Sequence, residues 1–147
     1  MPVDVLLVED NPVDAEVALE ALAQETPDVR VSLVKDGAEA LAFLRREAPH
    51  SAAMCPNMIL LDLNLPVKSG RDVLAEIKAD PELRHIPVVV LTASANERDI
   101  RECYELQASS YVTKPADLDE FIDAVTAIRT YWLTFAQLPE QRQRGRS

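Results

Sequence analysis

The stretch Met58-Ile59-Leu60-Leu61-Asp62-Leu63-Asn64-Leu65-Pro66 runs from four unbroken apolar residues straight into an acid. An apolar run bounded by polar and turn residues reads as a strand covered on both faces, since a strand wetted on one side would alternate. Gly70 follows, and Val73, Leu74 and Ile77 then fall at helical spacing. This is one strand-to-helix unit with a carboxylate at the carboxyl end of its strand.

The same unit recurs on both sides. Val3 to Val8 and Val88 to Leu91 are apolar nearly throughout. Val29 to Val34 alternates instead, with Val29, Val31 and Leu33 against Arg30 and Ser32, as an edge strand would. Ser109 to Thr113 fits a weaker fifth strand. Helical spacing follows each: Val13, Val17, Leu19 and Leu22 after Asn11-Pro12; Ala38, Leu41, Ala42 and Leu44 after Asp36-Gly37; Ile100, Cys103, Tyr104 and Gln107 after Asn96. Leu118, Phe121, Ile122, Val125, Ile128 and Trp132 give the cleanest pattern. Five rounds of strand then helix predict an α/β domain, a doubly wound parallel sheet with helices on both faces.

Composition narrows the function. The chain has 147 residues, the size of one domain, with a formal net charge of -10. A field of that sign repels phosphate backbones and anionic lipid, so neither nucleic acid nor a membrane is the expected partner. Cys55 and Cys103 stand far apart, so no disulfide framework or zinc site is expected. No apolar run approaches a membrane span and the first residues lack a basic signal region, so the expected location is the cytoplasm.

Sites in doubly wound sheets form beyond the carboxyl ends of the strands. The residues leaving the strands are Glu9, Asp10 and Asn11; Lys35 and Asp36; Asp62; Thr92, Ala93 and Ser94; and Lys114-Pro115. Two carboxylates about 4 Å apart repel by roughly 4 kcal/mol at an effective dielectric near 20, so Glu9, Asp10 and Asp62 together call for a cation. Hard oxygen donors at an open rim suit Mg²⁺. A lysine and a hydroxyl on the same rim suit a phosphoryl group, with an aspartate as its acceptor. Asp14, Asp36 and Asp72 lie at helix starts, where capping accounts for them.

These residues resemble the receiver domain of two-component response regulators. The resemblance rests on Val8-Glu9-Asp10-Asn11, on Leu60 to Pro66 with Gly70, on Leu91-Thr92-Ala93 and on Tyr111-Val112-Thr113-Lys114-Pro115, and it covers residues 3 to about 134. It implies a five-stranded sheet of order 2-1-3-4-5 flanked by five helices, the flavodoxin-like, CheY-like arrangement. Asp62 would accept a phosphoryl group from the phosphohistidine of a sensor histidine kinase. Asp10, Asp62 and the backbone carbonyl of Asn64 would bind Mg²⁺, with Glu9 acting through water. Thr92 and Lys114 would hold the phosphoryl group, Lys114-Pro115 would be a cis peptide, and Tyr111 would be the switch that follows Thr92. The receiver would occupy residues 1–135, with 136–147 a partly disordered C-terminal extension and no effector domain. It would transfer the phosphoryl group only to itself, with no separate substrate.

A narrower resemblance, to stand-alone regulators of phytochrome-type sensor kinases, rests on Asn11-Pro12 with Asp14, on Lys78 to Leu83, on Ser94 to Glu97 and on Tyr131-Trp132-Leu133-Thr134. It implies a homodimer through the last helix, with Tyr131, Trp132 and Phe135 as candidate contacts. Packing of these aromatics onto their own domain is the competing reading. The rival functions are weaker on the residues. A haloacid dehalogenase-like phosphatase would need an acid where Asn64 stands, because an amide cannot protonate a leaving group. A flavodoxin would need a Ser/Thr/Gly run after the first strand. A phosphorylation-independent scaffold with a receiver-like fold is the remaining alternative.

Overall fold

The computed structural model describes residues 3–23 and 28–140. Five strands, β1 (Val3–Val8), β2 (Val29–Val34), β3 (Met58–Leu61), β4 (Val88–Thr92) and β5 (Ser110–Thr113), alternate with five helices. These are α1 (Pro12–Leu22), α2 (Gly37–Leu44), α3 (Gly70–Ala79), α4 (Glu97–Glu105) and α5 (Leu118–Thr130). All neighbouring strands pair in parallel, in the order β2-β1-β3-β4-β5. The expected doubly wound α/β fold is what forms.

Parallel crossovers place helices on both faces, and the sheet's alternation feeds two cores. Leu6, Val8, Ile59, Leu61, Val88 and Val90 point into a core shared with α2, α3 and α4. Val5, Leu7, Met58, Leu60, Val89 and Leu91 point into the other, shared with α1 and α5. Every residue of β3 is buried, as its unbroken apolar run predicts, and each such side chain is worth about 2 kcal/mol of transfer free energy. β2, at the edge, keeps its alternating exposure.

Two expectations are corrected in the helices. On α1 three of the four expected residues pack on the core, with Leu22 buried and Val17 and Leu19 against it beside Ala15, Ala18 and Ala21, whereas Val13 is 65% exposed. Alanine lets the helix axis lie close to the sheet, and Val13 falls on the opposite side. The last helix also changes pitch, since Tyr131–Phe135 form a π-helical turn closed by the Ala136 N–H on the Tyr131 carbonyl. This wider turn leaves Trp132 against the α1/α5 core, with Tyr131 edge-on to it at 5.3 Å. Trp132 therefore packs on its own domain, while Tyr131 and Phe135 are exposed.

Part of the expected C-terminal extension is ordered. Leu138 packs on the α1/α5 core, and the Asn57 side-chain amide donates to the Pro139 carbonyl at 3.4 Å. The rest of the basic tail, 141–147, lies outside the described residues.

Candidate functional site at the carboxyl rim

Parallel pairing brings the strand ends to one rim, and the ladder continues a residue past each strand. The Glu9 N–H donates to Val34 O at 3.0 Å, Asp62 N–H to Val8 O at 3.1 Å and Lys114 N–H to Thr92 O at 2.7 Å. Glu9, Asp62, Thr92 and Lys114 are thus fixed by backbone registered with the sheet. Gly70 closes the loop after Asp62. A Cβ there would sit 2.1 Å from the Asp62 carbonyl oxygen, so only glycine lets α3 start this close.

The Asp62 carboxylate is held on both oxygens. Its Oδ1 accepts from the Thr92 hydroxyl at 2.8 Å and from the Asn64 N–H at 3.2 Å; its Oδ2 accepts from Lys114 Nζ at 3.0 Å. Lys114 Nζ also reaches Glu9 Oε1 at 2.6 Å and Asp14 Oδ2 at 2.9 Å. Three carboxylates therefore share one ammonium whose side chain is 7% exposed.

The charge surplus shows in the acidities. Burial pushes the Glu9 carboxyl up to about 7; the hydrogen bond from Lys114 opposes this and the charge of Asp62 adds to it. Burial acts on Asp62 in the same direction, but the Thr92 hydroxyl and the Lys114 ammonium outweigh it and hold Asp62 below its ordinary value. Lys114 stays charged, because its bonds to Glu9 and Asp14 and the charge of Asp62 outweigh its burial.

The other expected residues are Asp10, Asn64 and Tyr111. Asp10 is exposed, and among the described residues no hydrogen bond or ion pair engages it. It borders a cleft of about 290 Å³ between α1 and β2, lined also by Glu9, Leu19, Leu33 and Lys35. Among the described residues no three acidic, His or Cys side chains converge on a common metal position. Asn64 is exposed, and its N–H donates to Asp62 Oδ1. The Tyr111 ring is half-buried against the α2/α3/α4 core, and its hydroxyl donates to the Ser94 carbonyl at 2.8 Å.

One expectation fails outright. The cis peptide among the described residues is Ala48-Pro49, and Lys114-Pro115 is trans. Trans is the lower-energy form of an X-Pro bond, and here it still delivers the Lys114 ammonium to all three acids.

The sequence reading missed Asp14 and undervalued Asn11. Asn11 is the N-cap of α1, its side chain accepting from the Val13 and Asp14 N–H groups. Its own N–H donates to Glu9 Oε2 at 3.1 Å and so orients that carboxylate. With the cap supplied by Asn11, the Asp14 carboxylate is free to face Lys114. No local signal marks this contact, because the partners lie 100 residues apart.

A rim with a doubly held carboxylate, a hydroxyl, a lysine and surplus negative charge agrees with comparisons to known proteins. The pattern defining the response regulator receiver domain matches residues 5–126. Response regulator Rcp1 of Synechocystis sp. is 45% identical over 138 residues, covering 94% of each chain. The crystal structure of the phosphorylated cyanobacterial phytochrome response regulator RcpA is 48% identical and superposes with a TM-score of 0.93, over 95% of this chain and all of that one. The Mn²⁺-bound form of Rcp1 superposes with a TM-score of 0.92 at 45% identity, over 95% of this chain and 100% of that one. The chain belongs to the response regulator receiver-domain family and is similar to phytochrome response regulators.

Proposed function

We propose that this receiver accepts a phosphoryl group on Asp62 from the phosphohistidine of a sensor histidine kinase and changes its partner-binding surface in response. The observation that carries this reading is the Asp62 carboxylate, buried at the strand end yet held charged by Thr92 and Lys114. An Asp62 oxygen attacks phosphorus; a P–O bond forms as the P–N bond of the donor breaks, and the imidazole nitrogen leaves with the electron pair. The Thr92 hydroxyl and the Lys114 ammonium, already on the two Asp62 oxygens, would turn to the phosphoryl oxygens.

The donor set suits Mg²⁺: all ligands are oxygens, and three carboxylates on one ammonium leave net negative charge that a hard cation offsets. Asp10, Asp62 and the Asn64 backbone carbonyl would hold it, with Glu9 behind water. The bound ion would neutralise charge developing on the transferred group. Tyr111 would carry the signal outward. Its hydroxyl is tied to Ser94, two residues beyond Thr92, so movement of Thr92 toward a phosphoryl group acts on that bond.

Similarity to RcpA and Rcp1 favours a phytochrome-type kinase as the source. For the homodimer, Tyr131 and Phe135, 56% and 71% exposed, are the contacts we propose. Trp132 would support the turn from inside. A cytoplasmic location fits a cytoplasmic kinase domain as partner.

Intact-mass spectrometry after incubation with Mg²⁺ and a small phosphodonor tests the reading. One added phosphoryl group on the wild type, absent in Asp62→Asn and absent without Mg²⁺, is the expected result. No adduct on the wild type, together with no beryllofluoride-dependent change at Tyr111 by NMR, would leave the scaffold reading in its place.

A further inference from the structure

The Lys114 ammonium has three N–H donors and three carboxylate partners: Glu9 at 2.6 Å, Asp14 at 2.9 Å and Asp62 at 3.0 Å. Two of these acids sit at strand ends. Asp14 does not; it stands on the first turn of α1, and its side chain is 27% exposed, against 3% for Glu9 and 7% for Asp62. Helix capping does not explain it, because Asn11 already accepts from the Val13 and Asp14 N–H groups. To hold a phosphoryl group on Asp62, Lys114 must swing one N–H from Asp62 Oδ2 to a phosphoryl oxygen. Asp14 resists that swing in two ways. It ties the ammonium to α1, and it sets a negative charge near the path of an incoming dianion.

We propose that Asp14 is a positioning residue that acts through Lys114, restraining the lysine in the resting state and slowing phosphoryl acceptance by Asp62. The inference rests on the function proposed above. It also assigns α1, which is otherwise packed by its alanine face, a direct hold on the reacting rim.

The test compares wild type, Asp14→Asn and Glu16→Gln, with acetyl phosphate and Mg²⁺ as the donor system and intact mass as the readout. Asp14→Asn keeps an acceptor oxygen near Lys114 but removes the charge. Glu16→Gln removes an exposed charge from the same helix and is the control for bulk electrostatics. The expected result is phosphorylation three- to ten-fold faster for Asp14→Asn and within two-fold of wild type for Glu16→Gln. Equal acceleration in both variants, or none in Asp14→Asn, overturns the proposal.

A second readout does not need phosphorylation. In metal-free protein, the Lys114 ε-ammonium ¹⁵N–¹H signal is expected to be protected from exchange in the wild type. Asp14→Asn should shift it and speed its exchange, and Asp14→Glu should restore it. An unchanged signal overturns the proposal. If the wild type takes no phosphoryl group, the functional reading falls, and the ammonium signal alone decides whether Asp14 holds Lys114.

Discussion

Asp4, near the start of β1, and Asp62, just past the end of β3, are both buried carboxylates with a cation in reach. At the amino end of the sheet, Asp4 meets an arginine. It pairs in register with Arg30 on β2, whose fork meets both carboxylate oxygens at 2.9 Å. At the carboxyl end, Asp62 shares Lys114 with Glu9 and Asp14. The planar, bidentate pair engages both oxygens of its carboxylate with one guanidinium fork. The ammonium is a point charge divided three ways, and a phosphoryl group or a cation can redistribute it. The same residue chemistry builds a joint at one end of the sheet and a reactive rim at the other.

Removing each cation should break the comparison most visibly. Lys114→Ala in metal-free protein strands three acids at the rim and is expected to cost about 3 kcal/mol, the usual effect of orphaning a buried charge. Arg30→Ala should cost under about 1 kcal/mol, because Arg30 is half-exposed and Asp4 can hydrate in its place. Urea unfolding of both variants in EDTA measures the two values. Equal costs would mean that the two ends are built alike.

An acid-to-amide change should next differ in sign. Glu9→Gln relieves the surplus, and at pH 8 without metal it is expected to stabilise by up to about 3 kcal/mol, from a carboxyl raised from 4.5 to about 7. Asp4→Asn loses a satisfied charge pair and should destabilise by about 1 kcal/mol. The same unfolding assay reads both.

The smallest effect concerns the rim loop. Arg46 and Gln107 take left-handed backbone just beyond α2 and α4, where helices often end that way. Val67 does so, with φ 69° and 82% exposure, in the loop between Asp62 and α3. A β-branched residue is strained there, so Val67→Asn is expected to stabilise by about 1 kcal/mol. Thermal unfolding checks this, and a loss of stability would mean that no strain is stored at that position.

Much of this was legible in the sequence, for physical reasons that differ by residue. Apolar runs such as Met58 to Leu61 mark buried parallel strands directly, and the residues leaving them fall at the rim by topology. Hence Glu9, Asp62, Thr92 and Lys114 were foreseeable and do come together. Asp14 was not, because a helix start offers a sufficient local account of any acid and its partner, just past β5, lies 100 residues away. Nor was Arg129, buried in the last turn of α5 with its Nε donating to the Leu22 carbonyl. On α1 only Val13 was misplaced, and periodicity, which weights large side chains, gave no notice of Ala15, Ala18 and Ala21, which close helix–sheet approach selects. Lys114-Pro115 shows the limit of analogy, since a trans bond serves the same ammonium placement.

The rim carries more negative charge than its lysine can balance, three carboxylates against one ammonium. The most direct test is the pH dependence of unfolding in metal-free protein, comparing wild type with Glu9→Gln. A carboxyl raised from 4.5 to about 7 binds its proton more tightly in the fold than in the unfolded chain. Its stabilising contribution is therefore full below about 4.5 and lost as pH climbs through about 7. Asp62 is held below its ordinary value and Lys114 above, so both act outside this window. Between pH 5 and pH 8, wild type is expected to lose up to about 3 kcal/mol relative to Glu9→Gln, and saturating Mg²⁺ to restore the loss. Parallel curves for the two proteins, or no gain from Mg²⁺ at pH 8, would contradict it.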